Sequence, residues 1–260
     1  MTRRWAAVSF GLCILGFALP LLGADGLQEK GPKQSFEVTK LERVPFQPGG
    51  TIQFDNSYGY LTVEGWDEPE VEVSVTKSTN RFYEPERKQQ AEAEKRFDQI
   101  RVAAERRSDK EVAISTALPV RHSFPSSILP AHRIVFTMPK HRKLGVTVEY
   151  TVHVPRDSRL IVHHDNGYVW VSDVTGDIEV DSHTGDMIVM LPEPGPYSID
   201  ARTGMGSVSS DFSGEGRKRF PVGTRFAYAS PAPSRRIRLR MGRGSITIKR
   251  GPPSGPFWKN

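Results

Sequence analysis

The sequence predicts an all-β fold: a stacked short-strand repeat domain, β-solenoid or β-helix-like, with one inserted helix and one hairpin. Three observations predict it. Short segments alternate apolar and polar residues, as in Val71-Glu72-Val73-Ser74-Val75 and Val146-Thr147-Val148-Glu149-Tyr150, the pattern of a strand with one buried face. Glycine-marked turns recur, with Gly167, Gly185 and Gly204 standing 18 and then 19 residues apart. The 20 Pro and 23 Gly among 260 residues favour turns over long helices.

The N-terminus reads as an export signal over residues 1–24. Arg3 and Arg4 precede an uncharged run from Trp5 to Leu22, and Gly23-Ala24 offer small residues before Asp25. An uncleaved membrane anchor is the alternative, since the run approaches the length of a short spanning helix. Either way the expected location is periplasmic, cell-envelope or extracellular. Cys13, the single cysteine, falls inside that run. Cleavage leaves a chain without disulfides or thiolate metal sites.

Residues 25–47 read as a loose, charged, disordered lead-in, and the ordered domain is expected over 48–250. Thr51-Ile52-Gln53-Phe54 and Tyr60-Leu61-Thr62-Val63 begin it as strands. A helix is expected over 84–97, where Pro85 suits a first turn and Ala91 and Ala93 are good helix formers. Ile100, Val102 and Ala104 then face Val112 and Ile114 across an Arg107–Lys110 turn as a hairpin. Residues 118–144, with Pro119, Pro125, Pro130 and Pro139, read as an irregular insertion holding at most a brief strand at Ile134-Val135-Phe136. Residues 251–260 read as a flexible tail.

From Gly145 onward the strands follow one another closely. The expected turn glycines are Gly59, Gly167, Gly176, Gly185, Gly204 and Gly244, positions that need positive φ or close backbone approach. Single strand-turn-strand units cannot bury their apolar faces alone, so they stack. Val169/Val171, Ile178/Val180 and Ile188/Met190 are the expected inward pairs.

The units Asn166-Gly167-Tyr168-Val169-Trp170-Val171, Gly176-Asp177-Ile178-Glu179-Val180 and Thr184-Gly185-Asp186-Met187-Ile188-Val189 resemble the bacterial β-strand-repeat family of unknown function labelled "putative adhesin". The resemblance spans most of residues 48–250. It rests on structural glycines and alternation, and the 118–144 stretch and the gap between Gly214 and Arg235 depart from it. What the resemblance implies is a binding or scaffolding role.

The residues themselves offer little chemistry. His163, His164 and His183 stand near Asp165, Asp181 and Asp186, ligand types without the spacing of a metal motif, and no metal site is assigned. Asp177 and Asp186 lack the dense glycine repetition of calcium-binding repeats. No Gly-x-Ser-x-Gly elbow or phosphate loop appears, so no catalytic residue, cofactor site or enzyme activity is assigned. A secreted hydrolase assembled near residues 118–144 is the alternative from another class. The formal net charge of +6 concentrates toward the C-terminus, where Arg236, Arg238 and Arg240 share one face of a strand. These three are the candidate anionic-ligand residues. Tyr58, Tyr60, Trp66, Tyr168 and Trp170 form a candidate aromatic patch for sugar or protein. The expected partners are a cell-envelope polymer, a membrane surface or another envelope protein, and not nucleic acid.

Overall fold

The computed structural model describes residues 36–79, 87–118, 145–193, 195–219 and 222–251. The expected signal peptide, nearly all of the 118–144 insertion with its Ile134-Val135-Phe136 strand, and the tail beyond Gly251 lie outside them. In chain order the elements are β1 (Glu37–Pro45), β2 (Thr51–Trp66), β3 (Glu70–Thr79), α1 (Arg87–Asp98), β4 (Arg101–Ser108), β5 (Glu111–Ala117) and β6 (Val146–Pro155). They continue as β7 (Arg159–Ser172), β8 (Ile178–Pro192), β9 (Tyr197–Met205), β10 (Val208–Ser210), β11 (Glu215–Arg219), β12 (Gly223–Ala229) and β13 (Arg235–Gly251). All strands belong to one 13-stranded mixed sheet. The expected helix is present as α1, its expected first residues 84–86 lying outside the described ones, and the β4/β5 hairpin is present too.

Strands β2, β7, β8 and β13 run 14 to 17 residues, well beyond the usual length of about five or six. Each turns a corner at a glycine of positive φ: Gly59, Gly167, Gly185 and Gly244. The halves on either side of the corner keep different company. Residues 51–55 of β2 pair with β5, whereas residues 60–66 pair with β6. Two limbs result. The first carries the front halves, flanked by β5 and β4 at one end and by β9, β12 and β11 at the other. The second carries the back halves, flanked by β6, β3 and β1 on one side and by β10 on the other.

The glycines stack in register as a column, Gly59–Gly167–Gly185–Gly244–Gly206. A Cβ on Gly185 would fall 1.7 Å from the Gly167 carbonyl oxygen, and one on Gly244 would fall 1.6 Å from that of Gly185. No side chain fits there, and the positive φ independently disfavours one. Gly206, not Gly204, completes the column: its φ is 138° and its Cβ would meet the Gly244 oxygen at 2.0 Å. The near-regular sequence spacing singled out Gly204 because it supposed that the units stack in chain order. They do not. β13, the last strand, inserts between β8 and β9. Gly204 and Gly176 keep their expected role as close-approach positions, since an added Cβ would fall 2.8 Å from the Gly242 oxygen at the first and 2.2 Å from the Ser158 oxygen at the second.

Alternation then sets the core. Leu160, Val162, Ile178, Val180, Ile237 and Leu239 from the first limb are fully buried, as are Val169, Val171, Met187, Val189, Ile246 and Ile248 from the second. They belong to one hydrophobic cluster, and each contributes on the order of 1.5–3 kcal/mol. Ile188 and Met190 were the expected inward pair of β8, but Met187 and Val189 take that place. The Gly167–Gly185 alignment forces this, since it sets Met187 beside Val169 and Ile188 beside Trp170; a shift of one residue exchanges the two faces.

The lead-in is not structureless up to residue 47, because β1 pairs antiparallel with β3 along its whole length. α1 buries Ala93 and Phe97. Lys77 on β3 donates to the carbonyls of Phe97 in the last turn of the helix and Ile100 just past its end, at 3.0 and 2.6 Å, where unpaired carbonyls accumulate. Among the described residues, no helix is long and apolar enough to cross a membrane.

Candidate binding faces

The outer face of the first limb is charged and cross-linked to itself. Asp200 on β9 accepts from Arg202 at 2.9 and 3.1 Å, from Arg225 at 3.1 Å and from Arg240 at 2.9 Å. Partial burial pushes its carboxyl upward, but the arginine hydrogen bonds outweigh that and bring its pKa to about 2. Asp55 is likewise held below its usual value, chiefly by its hydrogen bonds from Gln53, and then by His163 at 3.1 Å.

Arg236, Arg238 and Arg240 share this face, as expected. They do not stand free together. Arg238 pairs with Glu179 at 3.2 Å, and Arg240 is held by Asp200. Beside Arg236, Asp177 accepts the backbone N–H at 2.7 Å. β13 also has strands on both sides, so these charges do not serve to blunt a sheet edge. A cleft of about 490 Å³ opens at the corner between Asp181, Arg202, Arg238, Arg240 and Gly242.

The histidines separate. His164 points inward, 3% exposed, with Nδ1 2.9 Å from the Ser57 hydroxyl, while His163 points outward to Asp55. Burial drives the His164 imidazole pKa down to about 4 despite a backbone hydrogen bond at Asn166, so it is neutral at physiological pH. Among the described residues, no group of three or more His, Cys, Asp and Glu is placed to hold a metal ion. The turn aspartates serve the backbone instead: Asp186 accepts from the Ser245 N–H at 3.2 Å and its hydroxyl at 2.5 Å. The hydrolase site imagined near residues 118–144 falls almost wholly outside the described residues.

The outer face of the second limb has a different composition. Its register sets Tyr60 beside Tyr168, and Tyr168 beside Asp186. The next row outward aligns Thr151, Thr62, Trp170, Ile188 and Thr247, at about 4.8 Å per strand. The Tyr168 and Trp170 rings lie 6.5 Å apart, tilted by 31°, and Tyr60 is 53% exposed. Beside the glycine column a shallow cleft of about 330 Å³ is lined by Tyr58, Tyr60, Thr147, Asn166, Tyr168 and Asp186. All five expected patch aromatics thus sit on or beside this face. Trp66 stands apart at the far end of β2, stacking on His153 at 5.1 Å and donating to the Glu70 carbonyl at 2.9 Å. Sequence reasoning missed the hydroxyl rows around the rings. Their signal was present as Thr and Ser at the polar positions of successive alternating strands.

No protein-family model matches the chain, and no curated protein does. Among solved structures the fold is similar to a "putative cell adhesion protein" from Clostridium sporogenes ATCC 15579. The identity is 13% and the TM-score 0.45, over 82% of this chain and 100% of that one.

Proposed function

We propose that the chain is an exported, non-enzymatic binding or scaffolding protein of the cell envelope. In this reading its stacked strands act as a β-solenoid-like platform, and an extended, largely uncharged polysaccharide lies against the outer face of the second limb. One observation carries the reading: in-register strands hold Tyr60, Tyr168 and Trp170 beside Asn166 and a carboxylate, Asp186, already oriented by Ser245. Sugars present apolar ring faces and hydroxyl edges. Aromatic rings cover the former, and fixed amide, hydroxyl and carboxylate groups bond the latter. The platform is made by the fold before any ligand arrives, which lowers the ordering cost of binding.

Co-sedimentation with insoluble, stripped cell-wall polysaccharide tests this. The chain is expected to pellet with the polymer at both low and high salt. Tyr168→Ala with Trp170→Ala is expected to weaken binding roughly thirtyfold, the equivalent of about 2 kcal/mol for two lost rings. Binding that the double variant leaves intact, or that salt abolishes, overturns the reading. Salt-abolished binding would instead fit an anionic polymer or lipid surface held by Arg236, Arg238 and Arg240.

A further inference from the structure

The strand β1 ends the second limb, and no strand among the described residues pairs its outer edge. Its inner edge is fixed by two main-chain bonds, Thr79 N–H to the Phe36 carbonyl at 2.9 Å and Phe46 N–H to the Pro69 carbonyl at 3.1 Å. With the β1/β3 register, these direct the main-chain groups of even-numbered residues toward β3. The N–H and C=O groups of Glu37, Thr39, Leu41 and Arg43 therefore point away from β3. Such an edge is a template for another strand. It also carries exposed apolar side chains on both of its faces, Val38 at 50% and Leu41 at 56%.

We propose that this edge is an association surface for a second copy of the chain, with two β1 strands pairing antiparallel about a two-fold axis at Leu41. The side chains select that register. Any two-fold pairing must leave the outward odd-numbered residues hydrogen-bonded, so the axis passes through a residue and not between two, and pairing most of the Glu37–Pro45 strand places it at Lys40, Leu41 or Glu42. Centring on Lys40 sets two lysines face to face, and centring on Glu42 does the same with two glutamates; like charges directly opposite are destabilising. Centring on Leu41 sets Lys40 against the partner's Glu42, twice by symmetry. Val38 then meets the partner's Val44, and the two Leu41 side chains cover each other. Lys40 and Glu42 already pair with one another along the strand, so association exchanges that contact for one across the interface. Pro45 lies at the strand's end, where its missing N–H costs the ladder least. The inference is independent of the polysaccharide reading, although the pairing would join two second-limb faces into one sheet.

Sedimentation equilibrium of the purified full-length chain over a concentration series tests it, together with charge exchange. A reversible dimer is expected. Lys40→Glu should weaken it about tenfold or more, and adding Glu42→Lys should restore it to within about threefold. Crosslinking checks the register in a Cys13→Ser background. Leu41→Cys should form a disulfide-linked dimer under mild oxidation, because opposed Cα atoms in such a pair lie about 5.5 Å apart. Thr39→Cys should not, since its twin lies four positions along the strand, roughly 13 Å away. A monomer at every concentration, a dimer indifferent to Lys40→Glu, or equal crosslinking at both positions overturns the proposal.

Discussion

The two limbs are built from the same strands, yet they present opposite surfaces. Outside the corner, residues 51–55, 159–164, 178–182 and 235–241 show charge, and the charges satisfy one another: Asp200 gathers three arginines and Glu179 holds Arg238. Past the same corner, the strands show Tyr60, Tyr168, Trp170 and a row of threonine, and the charged contacts of that limb gather one row further on, where Arg43 pairs with Glu72 and His153 lies against Glu64 and Glu72. A strand fixes only which residues point outward; what they are is free to differ along its length. The first limb spends its polar groups on internal cross-links. The second is cross-linked in its far row but leaves rings and hydroxyls turned to solvent nearer the corner, and that is why the binding role is proposed for it.

The comparison depends first on the corner that separates the limbs. Gly185→Ala is expected to cost more than about 4 kcal/mol or to prevent folding, because its Cβ would fall 1.7 Å from backbone at positive φ. Gly216→Ala, with nothing within 4 Å of the added Cβ, should leave the melting temperature unchanged. Equal tolerance at the two positions would break the corner argument.

Next comes pH, again at the corner. His164 has a folded pKa of about 4 against an ordinary 6.5, so the unfolded chain takes up its proton first. The stability due to the neutral imidazole is therefore complete above pH 6.5 and lost as pH falls toward 4, by about 3 kcal/mol. Urea unfolding at pH 7 and pH 4 measures this. His164→Gln should remove that part of the pH dependence, and an unaltered profile in the variant would contradict the assignment.

Smaller effects distinguish the limbs themselves. Asp200→Asn should destabilise the first limb by about 1 kcal/mol, leaving arginines without their shared carboxylate. Because the Asp200 carboxyl is depressed, its contribution is present above about pH 3.8 and fades as pH falls through about 2. Thr247→Ala on the outer face of the second limb should change stability by less than about 0.5 kcal/mol. If denaturation midpoints show Thr247 costing as much as Asp200, the second limb's polar groups are structural and not spare.

Much of this was legible in the sequence, and the failures share a cause. Period-two alternation gave the strands from Thr51 onward, the helix stood out by its Ala and Glu content, and Val169, Val171, Ile178 and Val180 do point inward. Stacking order was not legible. Local spacing cannot reveal that β13 pairs β8 at a separation of 59 residues, Ile178 with Ile237, so Gly206 was missed as the last member of the column. The Ile188/Met190 assignment failed because β8 is apolar at 187–191 on both faces, and alternation alone cannot pick a face there; the glycine alignment does. Arg236, Arg238 and Arg240 were placed correctly on one face, but their acidic partners Glu179 and Asp200 come from other strands and are visible only in the fold. β1 was missed because its strand pattern is interrupted by charge, as edge strands often are.

The most direct measurement sets the limbs against each other in one experiment. Binding to stripped cell-wall polysaccharide is compared for two double variants, Tyr168→Ala with Trp170→Ala on the second limb and Arg236→Glu with Arg238→Glu on the first. The account predicts that the aromatic pair loses roughly thirtyfold in affinity while the arginine pair stays near the unmodified chain. Loss through the arginine pair alone would contradict it and move the binding surface across the corner.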